Sequence, residues 1–582
     1  MTYLRRLIPY LKLYKKKLFL GFLVIAMSAI FTNLIPLVIS KAIDDIKDNL
    51  AYGLLWQYAS LTVLFASISG FFLFLTRQTI IIVSREIEND LRNNFLQHIL
   101  IQDIQYFHYH PTGEVMALAT NDISAVRNFL GPGIMYTSET VANFILAISI
   151  MITLNLELTF IAILPIPLIS YAVYRIGKSI NHKFELVQEQ FSVLTTKAQE
   201  NLSGIKVAKA YVREKSEIES FRKLSMDYMR KNLKLAKVQS FSFPMMFLLT
   251  GFSVMLVLFV GGNKTIDGVM TIGELTAFII YLGLLTWPII SLGWIINLTQ
   301  RAEASMKRLC EVLDSKPSIK DGKSEIDVRS IPLRGEIEFK NVNFRYSKDL
   351  PYVLKNINLK ISSGETLGVI GHTGSGKTTL VNLILRLFEI KEGELFIDGK
   401  DIKTFLFKSL RTSIGYVPQE TFLFSETIEN NIAYSEQSFE KDKVILASKI
   451  SQIYKDVDNF PKRFETMLGE RGINLSGGQK QRTSIARAIL ADPKILILDD
   501  AFSAVDTYTE EEILNGLKDV MEVRTTILIS HRVSTLKNSD RIIVLKEGMI
   551  AEAGTHESLI QQEGIYADIY FKQLLEEELK EL

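Results

Sequence analysis

Cysteine is nearly absent from this sequence, since Cys310 is the single cysteine among 582 residues. One thiol excludes a disulfide within the chain and a zinc site built from several cysteines, and it is typical of proteins in a reducing compartment. The residues around Cys310 do not form the pattern of a catalytic triad, which disfavours a nucleophilic role. We therefore expect neither a disulfide framework nor cysteine chemistry.

Net charge is also nearly absent, because 66 lysines and arginines stand against 64 aspartates and glutamates, for a formal charge of +2. A protein that binds nucleic acid generally carries a basic excess or a basic patch. We therefore expect no nucleic-acid partner. Histidine is scarce as well, and His108 and His110 have no carboxylate cluster beside them, which favours a structural role over a metal site.

Apolar residues are abundant: they make up 48% of the chain and gather in long uncharged runs in its first half. A helix that crosses ~30 Å of hydrocarbon needs about 20 mostly apolar residues. Six runs meet this requirement, and they lie at residues 18–40, 54–75, 134–154, 158–174, 241–260 and 272–296. The pattern predicts an all-α transmembrane domain with six membrane helices in residues 1–302.

Basic residues near the ends of these runs predict the orientation, because lysine and arginine concentrate on the cytoplasmic side of a membrane. The N-terminal arm 1–17 and the connection 175–237 are rich in both, whereas the opposite connections hold few. With an even number of spans, both termini are expected in the cytoplasm, at the inner (plasma) membrane. The arm is followed by no small-residue cleavage site, so we expect a retained anchor whose basic run 15–17 meets membrane lipid.

Two cytoplasmic connections, 76–133 and 175–240, are long and carry apolar residues at helical spacing. Each predicts a helical hairpin. A glycine that would break the helix occurs once in each tip, as Gly113 in the first and Gly204 in the second.

A charged linker, assigned to residues 303–332, leads into a second domain at 333–582. There an apolar run at 366–370 continues directly into the pattern G-x-x-x-x-G-K-T and a helical segment, which is the Walker A loop in its required context. Its backbone N–H groups can close around phosphate oxygens, Lys377 neutralises the β/γ charge and Thr378 offers a hydroxyl to Mg²⁺. The loop predicts ATP and Mg²⁺ as cofactors. The expected nucleotide-binding residues are Gly371, His372, Thr373, Gly374, Ser375, Gly376, Lys377, Thr378 and Thr379.

A second apolar run, 495–499, ends in a carboxylate, as a Walker B strand does. Asp499 is the expected partner of Mg²⁺, directly or through water. A strand that ends in aspartate is weak evidence by itself. Here it follows the pentapeptide Leu475-Ser476-Gly477-Gly478-Gln479, and the combination is informative.

This pentapeptide resembles the signature of ATP-binding cassette (ABC) proteins, and the whole chain resembles their exporter-type half-transporters. The resemblance implies a type IV exporter-like membrane domain of six helices, followed by an α/β P-loop cassette domain. It implies a dimer, in which the signature residues Ser476, Gly477, Gly478 and Gln479 face the γ-phosphate of ATP on the Walker A loop of a second chain. A helix N-terminus with available N–H groups suits such an anion site.

The same resemblance implies further roles by position. Tyr346 would stack on adenine, Gln419 would reach the metal and face the membrane part, and His531 would be the switch histidine. Residues 470–472 resemble the exporter-specific stretch, and 503–506 resemble the dimer-contact loop. Two segments, 112–114 and 201–211, resemble coupling elements that dock on the cassettes.

Asp500 departs from the family pattern, which usually places glutamate after the Walker B aspartate as the general base. Aspartate is shorter by one methylene, and a displacement on the order of 1 Å can cost ~10²-fold in rate. Asp500 could still serve as the base, or the site is degenerate, as in one half of many heterodimeric exporters. The sequence resembles those multidrug-exporter halves that carry Asp-Asp here, and its intact signature could complete a site on a partner with glutamate. A heterodimer is therefore favoured over a homodimer, with Asp500, His531 and Gln419 as the candidate catalytic residues.

These features predict an ATPase coupled to export or flipping of amphipathic drugs, lipids or peptides across the cytoplasmic membrane. The alternative on the same fold is an ATP-gated channel or regulatory subunit, although the sequence has neither a ring of charge typical of a selective pore nor a long regulatory insertion. An apolar substrate cavity could be formed by Phe241, Phe243, Met245, Met246 and Phe247. A buried helix has the same composition, so the sequence leaves the substrate open.

Overall fold

The computed structural model describes residues 2–47, 52–321, 333–436 and 438–581. The chain forms two compact units. The first contains Met1–Ile101 and His110–Ser315, and the second contains Gln102–Tyr109 and Lys316–Leu582. A short early segment, 102–109, therefore belongs to the unit that the C-terminal half forms.

The first unit consists of helices joined by short turns. In chain order the helices are α1 (Ile8–Leu13), α2 (Lys15–Lys47), α3 (Tyr52–Thr76), α4 (Ile82–Leu100), α5 (Ile104–Tyr109), α6 (Thr112–Ala117), α7 (Ile123–Asn128), α8 (Ile134–Leu154), α9 (Leu156–Ile163), α10 (Ile166–Ser203), α11 (Ile205–Ala210), α12 (Glu214–Ile266) and α13 (Ile272–Leu313), of which α5 belongs to the second unit. π-helical turns join α3 to α4, α6 to α7 and α7 to α8, so that these segments continue as long helices.

The apolar runs of the sequence lie on these helices. Among the described residues, three helices are long and apolar enough to cross a membrane, namely Lys15–Lys47, Leu54–Leu100 and Thr112–Leu154. Shorter apolar helices, Thr250–Ile266 and Ile272–Thr286, lie on the fifth and sixth runs. The fourth run is divided, because α9 ends at Ile163 and α10 begins at Ile166. The count of six spans stays a prediction.

The two hairpin tips differ from each other. At the second, Gly204 follows the last residue of α10 and separates it from α11, as its sequence predicts. At the first, the expectation that Gly113 breaks the helix is wrong, because Gly113 lies inside α6. Pro111 precedes α6 as its N-cap, and proline has no N–H to continue the preceding helix. The short helix α5 lies just before this proline and outside the expected segment 112–114.

Helix α13 continues further than the sequence pattern indicated. The linker was expected from residue 303, but α13 ends at Leu313. Ala302, Met306 and Leu309 are buried at helical spacing along this extension, together with Cys310, which explains why the helix persists. The part of the expected linker at 322–332 lies outside the described residues.

A carboxylate at the end of α2 holds the beginning of α13. The Asp44 Oδ1 accepts a hydrogen bond from the Gly273 N–H at 2.8 Å, and its Oδ2 accepts one from the Thr271 hydroxyl at 2.7 Å. The unpaired N–H groups at a helix N-terminus favour a negative charge. Gly273 leaves no room for a side chain, since a Cβ there would overlap the Ser40 carbonyl oxygen.

The second unit is built on two sheets. The strands are β1 (Ile337–Phe344), β2 (Leu354–Ile361), β3 (Thr366–Ile370), β4 (Glu392–Ile397), β5 (Lys400–Asp401), β6 (Ile414–Val417), β7 (Ile495–Asp499), β8 (Thr525–Ile529), β9 (Arg541–Lys546) and β10 (Met549–Gly554). One sheet has the order β2-β1-β4-β5 and is antiparallel. The other has the order β10-β9-β3-β8-β7-β6, and its strands are parallel except β10.

Helices surround these sheets. They are α14 (Lys377–Ile384), α15 (Phe407–Thr412), α16 (Ile428–Ile432), α17 (Lys441–Ile450), α18 (Tyr454–Asp458), α19 (Gly477–Leu490), α20 (Thr507–Glu522), α21 (Val533–Leu536), α22 (His556–Gln561) and α23 (Ile565–Glu581). The runs predicted as buried strands are β3 and β7, with β8 between them, and every residue of β7 is buried. The carboxyl ends of these three parallel strands lie at one edge of the sheet, where ligands of open α/β sheets bind.

Candidate nucleotide-binding site

The loop after β3 curls tightly before α14 begins. Gly376 has a φ of 103°, and a Cβ there would lie 2.8 Å from the Leu354 side chain. Both restrictions require glycine at this position. The Lys377 ammonium donates to the backbone oxygens of Gly371 at 2.7 Å and His372 at 3.1 Å, which closes the loop upon itself.

Lys377 and Asp499 form the charged centre of this edge. Burial lowers the pKa of Lys377, while the nearby charges of Asp499 and Asp500 raise it. Burial raises the pKa of Asp499, and a hydrogen bond with Thr378 opposes that change. Burial is the largest cause in both groups, so the net pKa of Lys377 is lowered and that of Asp499 is raised, while the attraction between the opposite charges opposes both changes.

The side-chain oxygen atoms near Lys377 are suitable ligands for a magnesium ion. Asp499 is 1% exposed, and its Oδ2 has no hydrogen-bond partner within the described residues. A buried carboxylate oxygen without a partner is costly unless a cation or water satisfies it. The described residues contain no group of three or more His, Cys, Asp or Glu side chains placed so that together they could hold a metal ion. Mg²⁺ is usually held by one or two protein oxygens together with phosphates and water, so Thr378, Asp499 and Gln419 are a sufficient set.

A cavity of about 290 Å³ joins these groups. It brings together most of the residues predicted from the loop, the Walker B strand and the family resemblance. The lining residues from those predictions are Tyr346, Thr373, Gly374, Ser375, Gly376, Lys377, Thr378, Thr379, Gln419, Asp499, Asp500 and His531. Gly371 and His372 contribute instead through their carbonyl groups, which hold Lys377.

Tyr346 lies at one side of this cavity in an aromatic cluster. Its ring packs edge-on against Phe344 and Phe388, with centroids 5.1 and 5.0 Å away, and its hydroxyl is 2.8 Å from that of Thr379. An aromatic face in this position can stack on a nucleobase.

Helix α5 contacts the same cluster, which the sequence did not indicate. Gln105 donates to the Tyr346 carbonyl oxygen at 3.1 Å, and the His108 ring stacks on Phe388 with centroids 6.4 Å apart. The structural role expected for His108 is thus an aromatic contact. The aromatic run 106–109 was the available signal for a packing segment here.

The signature pentapeptide begins a different helix. The Ser476 hydroxyl accepts from the Gln479 N–H at 3.3 Å, and the Gln479 side chain accepts from the Ser476 N–H at 3.0 Å, which forms a capping box for α19. Gly478 packs closely, since a Cβ there would lie 2.9 Å from the Ala504 carbonyl oxygen. Within the described residues, the lining of the nucleotide cavity contains none of residues 476–479. The chain therefore carries its loop and its signature at separate places.

Asp500 and His531 lie at the same edge of the sheet, where the parallel strands β7 and β8 end. The Asp500 N–H donates to the Ile529 carbonyl oxygen at 3.0 Å, and its φ is 50°, in the left-handed region that aspartate tolerates better than most residues. Burial lowers the pKa of His531, and Lys377 lowers it further, whereas Asp500 raises it. The net lowering of the pKa favours the neutral imidazole, which can donate one hydrogen bond.

Gln481 of α19, which the sequence did not indicate, binds the residues that follow β7. Its Nε2 donates to the Ser503 hydroxyl at 2.8 Å and to the Asp500 carbonyl oxygen at 3.4 Å, and its Oε1 accepts from the Ala504 N–H at 2.9 Å. It is 4% exposed. Its position two residues after the signature was the only signal in the sequence.

Comparison with known proteins agrees with this arrangement. The model of the ABC transporter transmembrane region matches residues 18–289, and the ABC transporter model matches residues 354–503. A relative from Bacillus subtilis (strain 168), the probable multidrug resistance ABC transporter ATP-binding/permease protein YheI, is 36% identical over 93% of this chain and 92% of its own length. The chain belongs to the ABC transporter family.

Two further ABC proteins extend the comparison. The ATP-dependent lipid A-core flippase of Desulfotalea psychrophila is 36% identical over 84% of this chain and 85% of its own length. A bacterial Atm1-family ABC exporter, whose structure was solved with ATP bound, has a TM-score of 0.80 and 26% identity, and covers 96% of this chain and 99% of its own. The chain is therefore a multi-pass membrane protein of an ATP-driven exporter family. Its architecture, a helical membrane domain followed by a nucleotide-binding domain, confirms the fold expected from the sequence.

Proposed function

We propose that this chain is one half of a dimeric exporter that uses ATP to move amphipathic drugs, lipids or peptides out across the inner membrane. Both termini then lie in the cytoplasm. The observation that carries the proposal is the separation of the Walker A cavity from the signature helix within one chain. A second cassette must supply the missing anion site, and ATP is then held between two chains.

The N-terminus of α19 suits this use. It offers backbone N–H groups and the Ser476 hydroxyl, and α19 extends for 14 residues, so its dipole favours an anion such as the γ-phosphate. Gln479 is anchored by Asp456, whose Oδ1 accepts from its Nε2 at 2.9 Å. The Gln479 side chain is thus held in place by contacts within one chain.

Exposed apolar residues on the second coupling element could connect the membrane part of one chain to the cassette of the other. On α11 and just after it, Ile205, Val207 and Tyr211 are 44, 61 and 76% exposed. We infer that this second coupling element docks on the cassette of the partner. This chain offers a matching surface for the partner's element, since Phe422, Phe424 and Tyr434 are exposed and pack on one another.

A cavity in the first unit supports an amphipathic substrate. It has a volume of about 540 Å³ and lies among α2, α8 and α13, and it combines apolar walls with a few polar side chains. Such a lining suits a molecule with an apolar body and a polar group. Phe241 and Phe247, which the sequence suggested for a cavity, are exposed on α12 of the single chain, and their place in a cavity of the dimer stays a prediction. Among the lining residues are Phe22, Phe129, Ile295, Thr137, Ser138 and Gln300.

We propose further that the partner is a different half-transporter and that the nucleotide site of this chain hydrolyses ATP poorly. Asp500 supports this, since its backbone is fixed and its carboxylate is one methylene short of the usual glutamate. The intact Ser476 and Gln479 cap would then complete a competent site on the partner.

The experiment compares two substitutions in the native complex. Asp500→Asn should reduce ATPase activity only modestly, whereas glutamine in place of the partner's corresponding glutamate should nearly abolish it. The chain expressed alone should turn over slowly. Robust activity of the single chain, lost completely in Asp500→Asn, would instead establish a homodimer with aspartate as its base.

A further inference from the structure

The C-terminal helix α23 contacts the loop that carries the candidate switch histidine. The Gln573 Nε2 donates to the His531 carbonyl oxygen at 2.6 Å, and its Oε1 accepts from the Val533 N–H at 2.9 Å. One side chain thus binds the backbone on both sides of Arg532. Leucine or alanine could form neither bond, because both need the amide group.

The loop is held on its other side by α20. Glu510 is 3% exposed, and its Oε2 accepts from the Arg532 guanidinium at 2.6 Å, while its Oε1 accepts from the Thr535 hydroxyl. These contacts hold Arg532 and Thr535, but none of them holds the backbone of His531. The peptide group between His531 and Arg532 is held at both ends, since its N–H donates to the Ser530 hydroxyl at 2.9 Å. Gln573 is the contact that holds its carbonyl oxygen, and it is made from α23.

His531 lines the nucleotide cavity together with Lys377 and Asp500, and both of these charges act on its imidazole. The expected role of Lys377 in neutralising the β/γ charge places the terminal phosphate of ATP near these residues. A small rotation of its peptide group would move the ring relative to that phosphate, and a displacement on the order of 1 Å is enough to lose a productive contact. ADP lacks that phosphate, so its binding does not depend on the ring in the same way.

We propose that Gln573 is a positioning residue that holds His531 in reach of the terminal phosphate, so that α23 takes part in distinguishing ATP from ADP. The proposal rests on the nucleotide site described above. It does not require export, a heterodimer or a degenerate site.

The test measures nucleotide preference at this chain's own site in the complete complex. The chain is labelled with a photoreactive ATP analogue on ice with Mg²⁺, and labelling of its own band is competed with ATP and, separately, with ADP. Gln573→Leu, which keeps the approximate volume but forms neither bond, should weaken competition by ATP about tenfold, equivalent to about 1.4 kcal/mol. Competition by ADP should stay within about twofold of its value in the unmodified complex, which is the variation expected of a substitution far from the bound nucleotide.

Three further variants make the result specific. Lys572→Leu, which removes only an exposed ion pair with Asp568 on the same helix, should change neither competition. Gln573→Glu keeps the acceptor for the Val533 N–H but loses the donor to the His531 carbonyl oxygen. It should therefore weaken competition by ATP as much as Gln573→Leu does. In a His531→Ala background, Gln573→Leu should have no additional effect on ATP.

Two outcomes would overturn the proposal. One is a loss of ATP and ADP competition to the same extent, which would mean that Gln573 supports only the fold. The other is an undiminished Gln573→Leu effect in the His531→Ala background. If Gln573→Leu does not fold, Gln573→Glu decides by the same comparison. Absence of labelling in the unmodified chain would contradict the nucleotide site itself and not the role of Gln573.

Discussion

Replacing Asp500 by glutamate should increase ATP hydrolysis by this chain. The Asp500 backbone is held on both sides, since its N–H donates to Ile529 and its carbonyl oxygen accepts from Gln481. The added methylene therefore moves the carboxylate alone. One additional carbon–carbon bond extends its reach by about 1.5 Å.

The size of the effect follows from that distance. If the general base is displaced by on the order of 1 Å, restoring it should raise turnover by up to ~10²-fold. A stability cost accompanies the gain, because φ at this position is 50° and glutamate tolerates the left-handed region less well than aspartate. We expect a loss of about 1 kcal/mol in the free energy of unfolding.

The assay is phosphate release by the purified chain in lipid nanodiscs, with its dimeric state verified beforehand. Asp492→Glu is a matched control, since Asp492 also has a positive φ, of 43°, and does not line the nucleotide cavity. It should reproduce the stability loss without the gain in turnover. Unchanged turnover of Asp500→Glu, in a dimer that still binds ATP, would refute the idea that a short base limits hydrolysis.

Three further substitutions test other parts of the molecule. Lys377→Ala should reduce labelling of this chain by a photoreactive ATP analogue at least tenfold, because the phosphate charge loses its ammonium; unchanged labelling would contradict the assignment. Ser476→Arg should abolish most ATPase activity of the assembled complex, since a bulky cation replaces the helix cap, and near-parental activity would exclude a site shared between chains. Gly273→Ala should lower the melting temperature, because a Cβ would collide with Ser40 and Asp44 at the start of α13; an unchanged melting temperature would show that the contact is relaxed in the membrane.

The parts of the structure that the sequence predicted are those with a local cause. The strands β3 and β7 were recognisable because a buried parallel strand is a continuous apolar run, and each ends at a motif whose chemistry needs that position. Gly204 was predicted for the same reason, since a helix end depends on the residues beside it. Fold class also followed, because long uncharged runs and a phosphate loop occupy different halves of the chain.

The parts of the structure that the sequence did not predict depend on distant residues or on two competing local signals. At the first tip, Gly113 and Pro111 both favour a helix end, and proline prevailed because it lacks an N–H. The extension of α13 to Leu313 arises from burial, which charged residues in the same stretch concealed. Gln481 and Gln573 act on residues that lie far from them in the sequence, and a glutamine carries no pattern of its own.

The placement of α5 has a consequence for the time course of synthesis. Gln105 and its acceptor at Tyr346 are 241 residues apart in the chain. At roughly 5 to 20 residues per second, translation separates them by about 10 to 50 s. During that interval α5 has been synthesised, but the residues that it packs against have not, while the helices on both sides of it enter the membrane. A cassette made alone from residues 333–582 would fold without this segment, and one neighbour of the aromatic cluster around Tyr346 would be missing from the start.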